Sequence, residues 1–196
     1  HQVVVYDQVG VSSAPRVWWL FKLMGQENVA VLDGGLPKWV AEGRNTEDLP
    51  PMVRDRHMTV RVQNHRVKDV TQVSSASKLG DYEIVDARSR GRFAGTEPEP
   101  RAGLRGGHIP NSKNVPFGEL LTEQKILKSP DELRSVFEAA GVDLSKPVIT
   151  SCGSGITAAI ISLALERIGK TDHAVYDGSW AEWGAFGTLP VKTGEA

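Results

Sequence analysis

The chain has 196 residues, 40% of them hydrophobic and 24% charged, with a net charge of −1. That length suits one domain or a small pair, and the near-neutral balance gives no footing for a nucleic-acid or membrane-surface partner. One cysteine and five scattered histidines exclude a disulfide scaffold and offer no metal-ligand cluster. A lone cysteine fits a reducing compartment, with the cytoplasm expected and a mitochondrial setting compatible. No apolar run is long enough to span a membrane.

Residues 3–6 predict a strand and 7–13 a loop containing Gly10. Residues 14–24 are apolar nearly all round (Val17, Trp18, Trp19, Leu20, Phe21, Leu23), so they predict a buried helix. Pro15 is tolerated in its first turn and Gly25 serves as its cap. Residues 29–32 predict a second strand, Asp33-Gly34-Gly35 a turn, and 36–42 a short helix carrying Trp39. Residues 43–58 are polar, contain Pro50-Pro51 and show no period, which reads as an exposed linker ending in a possible strand at 58–62. Val67, Val70, Val73, Ala76 and Leu79 recur at near-helical spacing and predict a helix over 67–79. A strand at 83–87 runs into a long loop over 88–107, followed by a short strand at 113–116 and a helical turn at 117–121. Ser129-Pro130-Asp131-Glu132 is a capping box with proline at the first helical position, and Leu133, Val136, Phe137 and Ala140 give that helix an apolar stripe ended by Gly141. A buried strand at 147–150, a helix at 156–168 capped by Gly169, a strand at 174–176 and a turn at Asp177-Gly178-Ser179 complete the chain. Short strands alternating with helices indicate an α/β protein with mainly parallel sheets flanked by helices.

The two ends of the chain align without gaps at an offset of 144 residues: Gly25 on Gly169, Asp33 on Asp177, Gly34 on Gly178 and Trp39 on Trp183. Such a register points to a duplicated domain. It predicts residues 1–45 as the C-terminal half of one domain, 46–64 as a linker and 65–196 as the second, catalytic domain. The first domain is then incomplete, its front half expected before His1. Gln8 takes the place of Cys152, so the first copy lacks a nucleophile and reads as structural.

Cys152 sits where a strand turns into a helix N-terminus, followed by Gly153-Ser154-Gly155. Free backbone N–H groups and the helix dipole favour an anion there, so the cysteine reads as a thiolate nucleophile rather than core filler. A Cys-x5-Arg phosphatase needs arginine at position 158, which is Ala158. A thiol-disulfide enzyme needs Cys-x-x-Cys, but Gly155 occupies the second place. A cysteine protease needs a histidine base, and neither His108 nor His173 has a supporting motif. What remains is a thiolate that carries a group on its sulfur, such as a persulfide. Arg88, Arg90, Arg92, Arg101 and Arg105 crowd one loop, either to grip a small anionic substrate or to pair with acids such as Glu97 and Glu99. His108 reads as a structural turn residue ahead of a base, Asp86–Arg88 as an ion pair fixing the loop, and Trp180 and Trp183 as core.

The segment 152–158, Cys-Gly-Ser-Gly-Ile-Thr-Ala, resembles the active-site loop of the mercaptopyruvate sulfurtransferases of the rhodanese superfamily. Asp86-Ala87-Arg88, Gly91-Arg92-Phe93, residues 95–101, Gly107-His108-Ile109-Pro110, residues 176–180 and Ser13-Ala14-Pro15-Arg16 match the same family in order. The resemblance implies tandem rhodanese-like domains, the first inactive and the second catalytic, with no cofactor. It implies transfer of sulfur from 3-mercaptopyruvate through a Cys152 persulfide to thioredoxin, a small thiol or cyanide. Arg92 and Arg101 would bind the substrate carboxylate and carbonyl, Ser154 would join a Ser-His-Asp relay, and Gly153, Gly155, Ile156 and Thr157 would complete the substrate loop. The relay's histidine and aspartate belong to the family's front half-domain. Thiosulfate-type members carry basic residues in the loop where this chain has Ser154 and Thr157. A thiosulfate:cyanide sulfurtransferase and a non-catalytic sulfur-carrying fragment are the alternatives.

Overall fold

The structure is a computed structural model describing residues 2–50, 52, 53, 55 and 57–195. His1 and Pro51, the latter in the expected linker, lie outside those residues.

The first half contains β1 (Val3–Val5), α1 (Ala14–Leu23), β2 (Val29–Val31) and α2 (Gly35–Ala41), with β1 and β2 paired in parallel. The second half contains β3 (Val67–Lys68), α3 (Val70–Leu79), β4 (Glu83–Asp86), α4 (Arg90–Ala94) and β5 (Ser112–Asn114). After these come α5 (Pro130–Ala139), β6 (Val148–Ser151), α6 (Ala158–Arg167), β7 (His173–Tyr176) and α7 (Ser179–Trp183). Its five strands form one parallel sheet in the order β3-β7-β6-β4-β5. Parallel neighbours need crossover connections, and the helices that supply them cover both faces, so the central strands β6 and β7 are buried at every position. At the 144-residue offset α1 falls residue for residue on α6.

One face of the large sheet packs Val85, Val148 and Val175 against Leu133, Phe137, Ile160, Ile161 and Leu165 of α5 and α6. Trp18, Trp19 and Leu23 of α1 join that same core, so the two halves share buried apolar surface. The opposite face packs Ile84, Ile149 and Tyr176 against Val73, Ala76, Trp180 and Trp183. Trp180 and Trp183 are core residues, as expected.

Four expected elements change their bounds for local reasons. Val67 and Lys68 pair with β7 instead of starting a helix, and α3 begins only after Asp69. The Asp69 carboxylate accepts the Gln72 N–H at 2.9 Å while Gln72 Oε1 accepts the Asp69 N–H at 3.1 Å, a reciprocal cap. No strand forms over 58–62: the N–H groups of Arg61 and Gln63 donate to Met24 O at 3.0 Å and Leu23 O at 2.7 Å, the open carbonyls at the end of α1. The loop over 88–107 contains a helical turn, α4, because Ser89 caps it. α6 starts at Ala158, not 156, since Gly155 is left-handed (φ +78°) and breaks the helical path.

Charge also joins the halves. Glu166 on α6 meets Arg66 Nη1 at 3.1 Å, His173 Nε2 at 3.6 Å and Lys22 Nζ of α1 at 3.9 Å. His173, Lys22 and Arg66 hold the Glu166 carboxyl, ordinarily near 4.5, down to about 2. A depressed folded-state value adds stability that is complete above pH 4.5 and is lost as pH falls toward 2. Glu166→Gln is therefore expected to cost about 1–2 kcal/mol at pH 7 after allowance for solvent screening, and nothing near pH 2. Urea unfolding across that pH range checks this; a variant as stable as wild type at pH 7 would contradict it.

Candidate active site

All strands of the large sheet point the same way, so β4, β6 and β7 deliver Asp86, Ser151 and Tyr176 to one edge. Ligands bind outside the carboxyl ends of such strands, where the following loops converge. Here those loops are 87–107, 152–157 and 177–179, and the first two line a cavity of about 310 Å³. Arg92, Arg101, Cys152, Gly153, Ser154, Ile156 and Thr157 line it, with Glu99, Pro100 and Leu104. Every side chain singled out for the site therefore faces one space. Gly155 contributes through its backbone.

Cys152 is 1% exposed, at the floor. Its Sγ accepts the N–H of Gly155 at 3.0 Å and that of Ser154 at 3.4 Å. Two amide dipoles aimed at one sulfur stabilise negative charge on it in a site shielded from bulk water. The matching loop of the first half holds an anion in the same way. Asp7 accepts the N–H groups of Ser12 and Ala14 at 2.8 Å each and the Ser13 hydroxyl at 2.6 Å. Burial opposes ionisation of Asp7, but the Ser13 hydroxyl and the Ala14 and Ser12 amides outweigh it and keep the carboxyl below its usual range. A strand–loop–helix turn that aims backbone N–H groups at one side-chain acceptor thus occurs twice, once with a carboxylate and once with a sulfur.

The cradle is braced from below and from the side. Trp180 N–H donates to Cys152 O and Ala181 N–H to Gly153 O, both at 2.9 Å. The Cys152 N–H donates to Ser179 Oγ at 3.2 Å, and that hydroxyl gives its single proton to Tyr176 O at 2.8 Å, standing 4.0 Å from Sγ. Ser179 is left-handed at φ +50°, a conformation disfavoured for any side chain. In the 144-residue register its counterpart is Gly35, also left-handed at φ +58°. The half without a cysteine relieves the strain with glycine; the half with one keeps the hydroxyl. Both positions read as turn residues in the sequence, although the contrast of Asp-Gly-Gly with Asp-Gly-Ser carries the signal. From the first half, Arg16 Nη1 reaches Gly155 O at 3.3 Å, pairs with Asp177 and stacks over Trp19, its carbon 4.6 Å from the ring centre.

The five loop arginines divide by environment. Arg88 is almost fully buried, bound to both Asp86 oxygens, to Glu99 at 2.7 Å and to Gly107 O at 2.8 Å, and it lies over Trp180. Arg90 is exposed and paired with Glu119 at 2.7 Å. Arg105 donates to the carbonyls of Trp183, Gly184 and Leu189. Only Arg92 and Arg101 face the cavity. His108 is buried, stacked on Phe93 at 3.8 Å, and its Nδ1 engages Phe93 O at 2.9 Å. Burial holds its imidazole below the usual range, and it does not line the cavity, so its role is structural. Among the described residues no group of histidine, cysteine and acidic side chains could hold a metal ion. Nor, among them, is any helix long and apolar enough to cross a membrane.

A buried sulfur on paired amides, below two arginines at the carboxyl edge of a parallel sheet, can carry a transferable group and hold a small anion beside it. Comparison with known proteins agrees. A family model described as "Rhodanese-like domain" matches residues 1–42 and 69–186. The chain is 40% identical over 216 residues to the mitochondrial thiosulfate/3-mercaptopyruvate sulfurtransferase 1 of Arabidopsis thaliana, covering all of this chain and 57% of the relative. It is 45% identical over 194 residues to the thiosulfate sulfurtransferase of Bos taurus, covering 97% of this chain and 65% of the relative. The chain thus spans less than two thirds of the length of the curated relatives it matches. The crystal structure of Tum1 from Saccharomyces cerevisiae superposes with a TM-score of 0.85 at 32% identity, covering 98% of this chain and 69% of that one. On this footing the chain belongs to the rhodanese-like domain family.

Proposed function

We propose that this chain is a sulfurtransferase that moves sulfur from 3-mercaptopyruvate to a thiol or cyanide acceptor through a Cys152 persulfide, releasing pyruvate. The observation that carries it is the Cys152 sulfur held by two backbone N–H groups beneath Arg92 and Arg101. The Cys152 thiolate attacks the substrate sulfur and the carbon–sulfur bond breaks. Its electron pair goes to the methylene carbon, which takes a proton to become pyruvate. Arg92 and Arg101 grip the carboxylate and carbonyl, and Ser154, whose hydroxyl has no partner among the described residues, lines the same cavity. The outer sulfur of the persulfide then projects about 2 Å beyond Sγ. An acceptor thiolate attacks it there and restores the Cys152 thiolate; thioredoxin or a small thiol, in a reducing compartment such as the cytoplasm, suits that step.

Thiosulfate is the second reading, since relatives named for either donor match the chain. The loop 153–157 carries no charged side chain, which favours a donor held by its carboxylate elsewhere in the cavity over one held by loop cations. Incubation with 3-mercaptopyruvate is expected to add one sulfur, about 32 Da, to the intact mass of the wild type and nothing to Cys152→Ser. A wild type that gains no mass from either donor would leave only the reading of a non-catalytic fragment; faster loading from thiosulfate would favour the second donor.

A further inference from the structure

Glu99 stands out among the cavity-lining residues. Its side chain is 2% exposed, and it is the one acidic residue facing a space built for an anion. A carboxylate there repels a carboxylate substrate unless its charge is already committed. Glu99 Oε1 accepts Arg88 Nη1 at 2.7 Å, and its two oxygens accept Arg92 Nη2 at 2.6 Å and Arg92 Nε at 3.3 Å. It thus occupies one edge of the Arg92 fork and leaves Nη1, with the second N–H of Nη2, to the cavity. Arg88 cannot yield, because both Asp86 oxygens, Gly107 O and the Trp180 ring fix it. The chain of contacts runs from a buried strand end, through Asp86, Arg88 and Glu99, to Arg92. Arg92 also closes on the cradle: a β-carbon placed on Gly153 would lie 2.8 Å from its Nη2. Arg101, by contrast, is exposed and has no ion-pair partner among the described residues.

We propose that Glu99 is a positioning residue, which orients the guanidinium of Arg92 toward the carboxylate of the sulfur donor and so sets preference for carboxylate-bearing donors. This rests on the sulfurtransferase reading above. Without the Glu99 charge, a glutamine amide faces two guanidinium groups, Arg92 turns outward to solvent, and the carboxylate loses its oriented partner.

The test uses the full chain with Glu99→Gln, and Glu99→Asp as the conservative variant. Glu99→Gln is expected to raise KM for 3-mercaptopyruvate about tenfold, the weight of one charge-assisted contact, with kcat little changed. KM for thiosulfate, which has no carboxylate, stays within about twofold, and Glu99→Asp recovers part of the loss. Pyruvate binding, read by calorimetry, weakens by the same factor and needs no turnover. An unchanged KM for 3-mercaptopyruvate, or equal losses with both donors, overturns the positioning role while leaving the sulfurtransferase reading intact. A wild type that loads no sulfur yet binds pyruvate in a Glu99-dependent way overturns that reading and the donor preference with it, and keeps only the orientation of Arg92 by Glu99 toward a bound carboxylate. A wild type that does neither overturns both.

Discussion

Replacing Gly155 with alanine is expected to reduce sulfur loading of Cys152 by about 100-fold or more, the cost of removing one preorganised donor from a charge-stabilising site. Gly155 is left-handed at φ +78°, where a β-carbon is strained. It also has no room: that carbon would meet Asp177 O and Arg16 Nη1 at 2.9 Å and Asp177 Oδ1 at 3.0 Å. Asp177 O is backbone and cannot step aside cheaply. The loop must shift instead, and its shift carries away the Gly155 N–H that lies 3.0 Å from Sγ. Because Arg92 and Arg101, the proposed substrate ligands, lie on another loop, the loss should fall on the loading rate more than on KM. Quenched-flow loading with 3-mercaptopyruvate, followed by intact mass, measures it. A rate within about threefold of wild type would show that the amide cradle does not set the rate.

The second large effect concerns stability. Arg88→Leu is expected to cost about 3–5 kcal/mol, because it leaves Asp86 and Glu99, each with a side chain 2% exposed, without their shared counter-charge. Leucine fills part of the volume over Trp180, so a cavity does not explain the loss; the Asp86 carboxylate, left without a counter-charge while Glu99 keeps Arg92, does. The expected signature is a drop in the urea midpoint at neutral pH. A loss under 1 kcal/mol at pH 7 would mean that water reaches the pair and the network contributes little. Arg101 replaced in the same way should leave stability nearly unchanged, since it is exposed and makes no ion pair among the described residues.

Periodicity and punctuation in the chain determined its local order. Apolar runs with few polar interruptions marked the buried parallel strands, glycine and proline marked the helix ends, and the 144-residue register paired α1 with α6. Cys152 stood out through its glycines, and Arg92 and Arg101 through the resemblance. These features are local in sequence, so local physics makes them legible. Which loop arginine meets which acid emerges only once the chain has packed. Arg88 and Arg92 are close in sequence and chemically identical, yet one is locked in a buried network and the other faces the cavity. The difference arises because β4 ends at Asp86 while α4 rotates Arg92 outward. Ser179 likewise became a site residue only when β7 and β6 brought its turn beneath Cys152, 27 positions away. Contacts at that separation depend on strand order, which no spacing rule encodes.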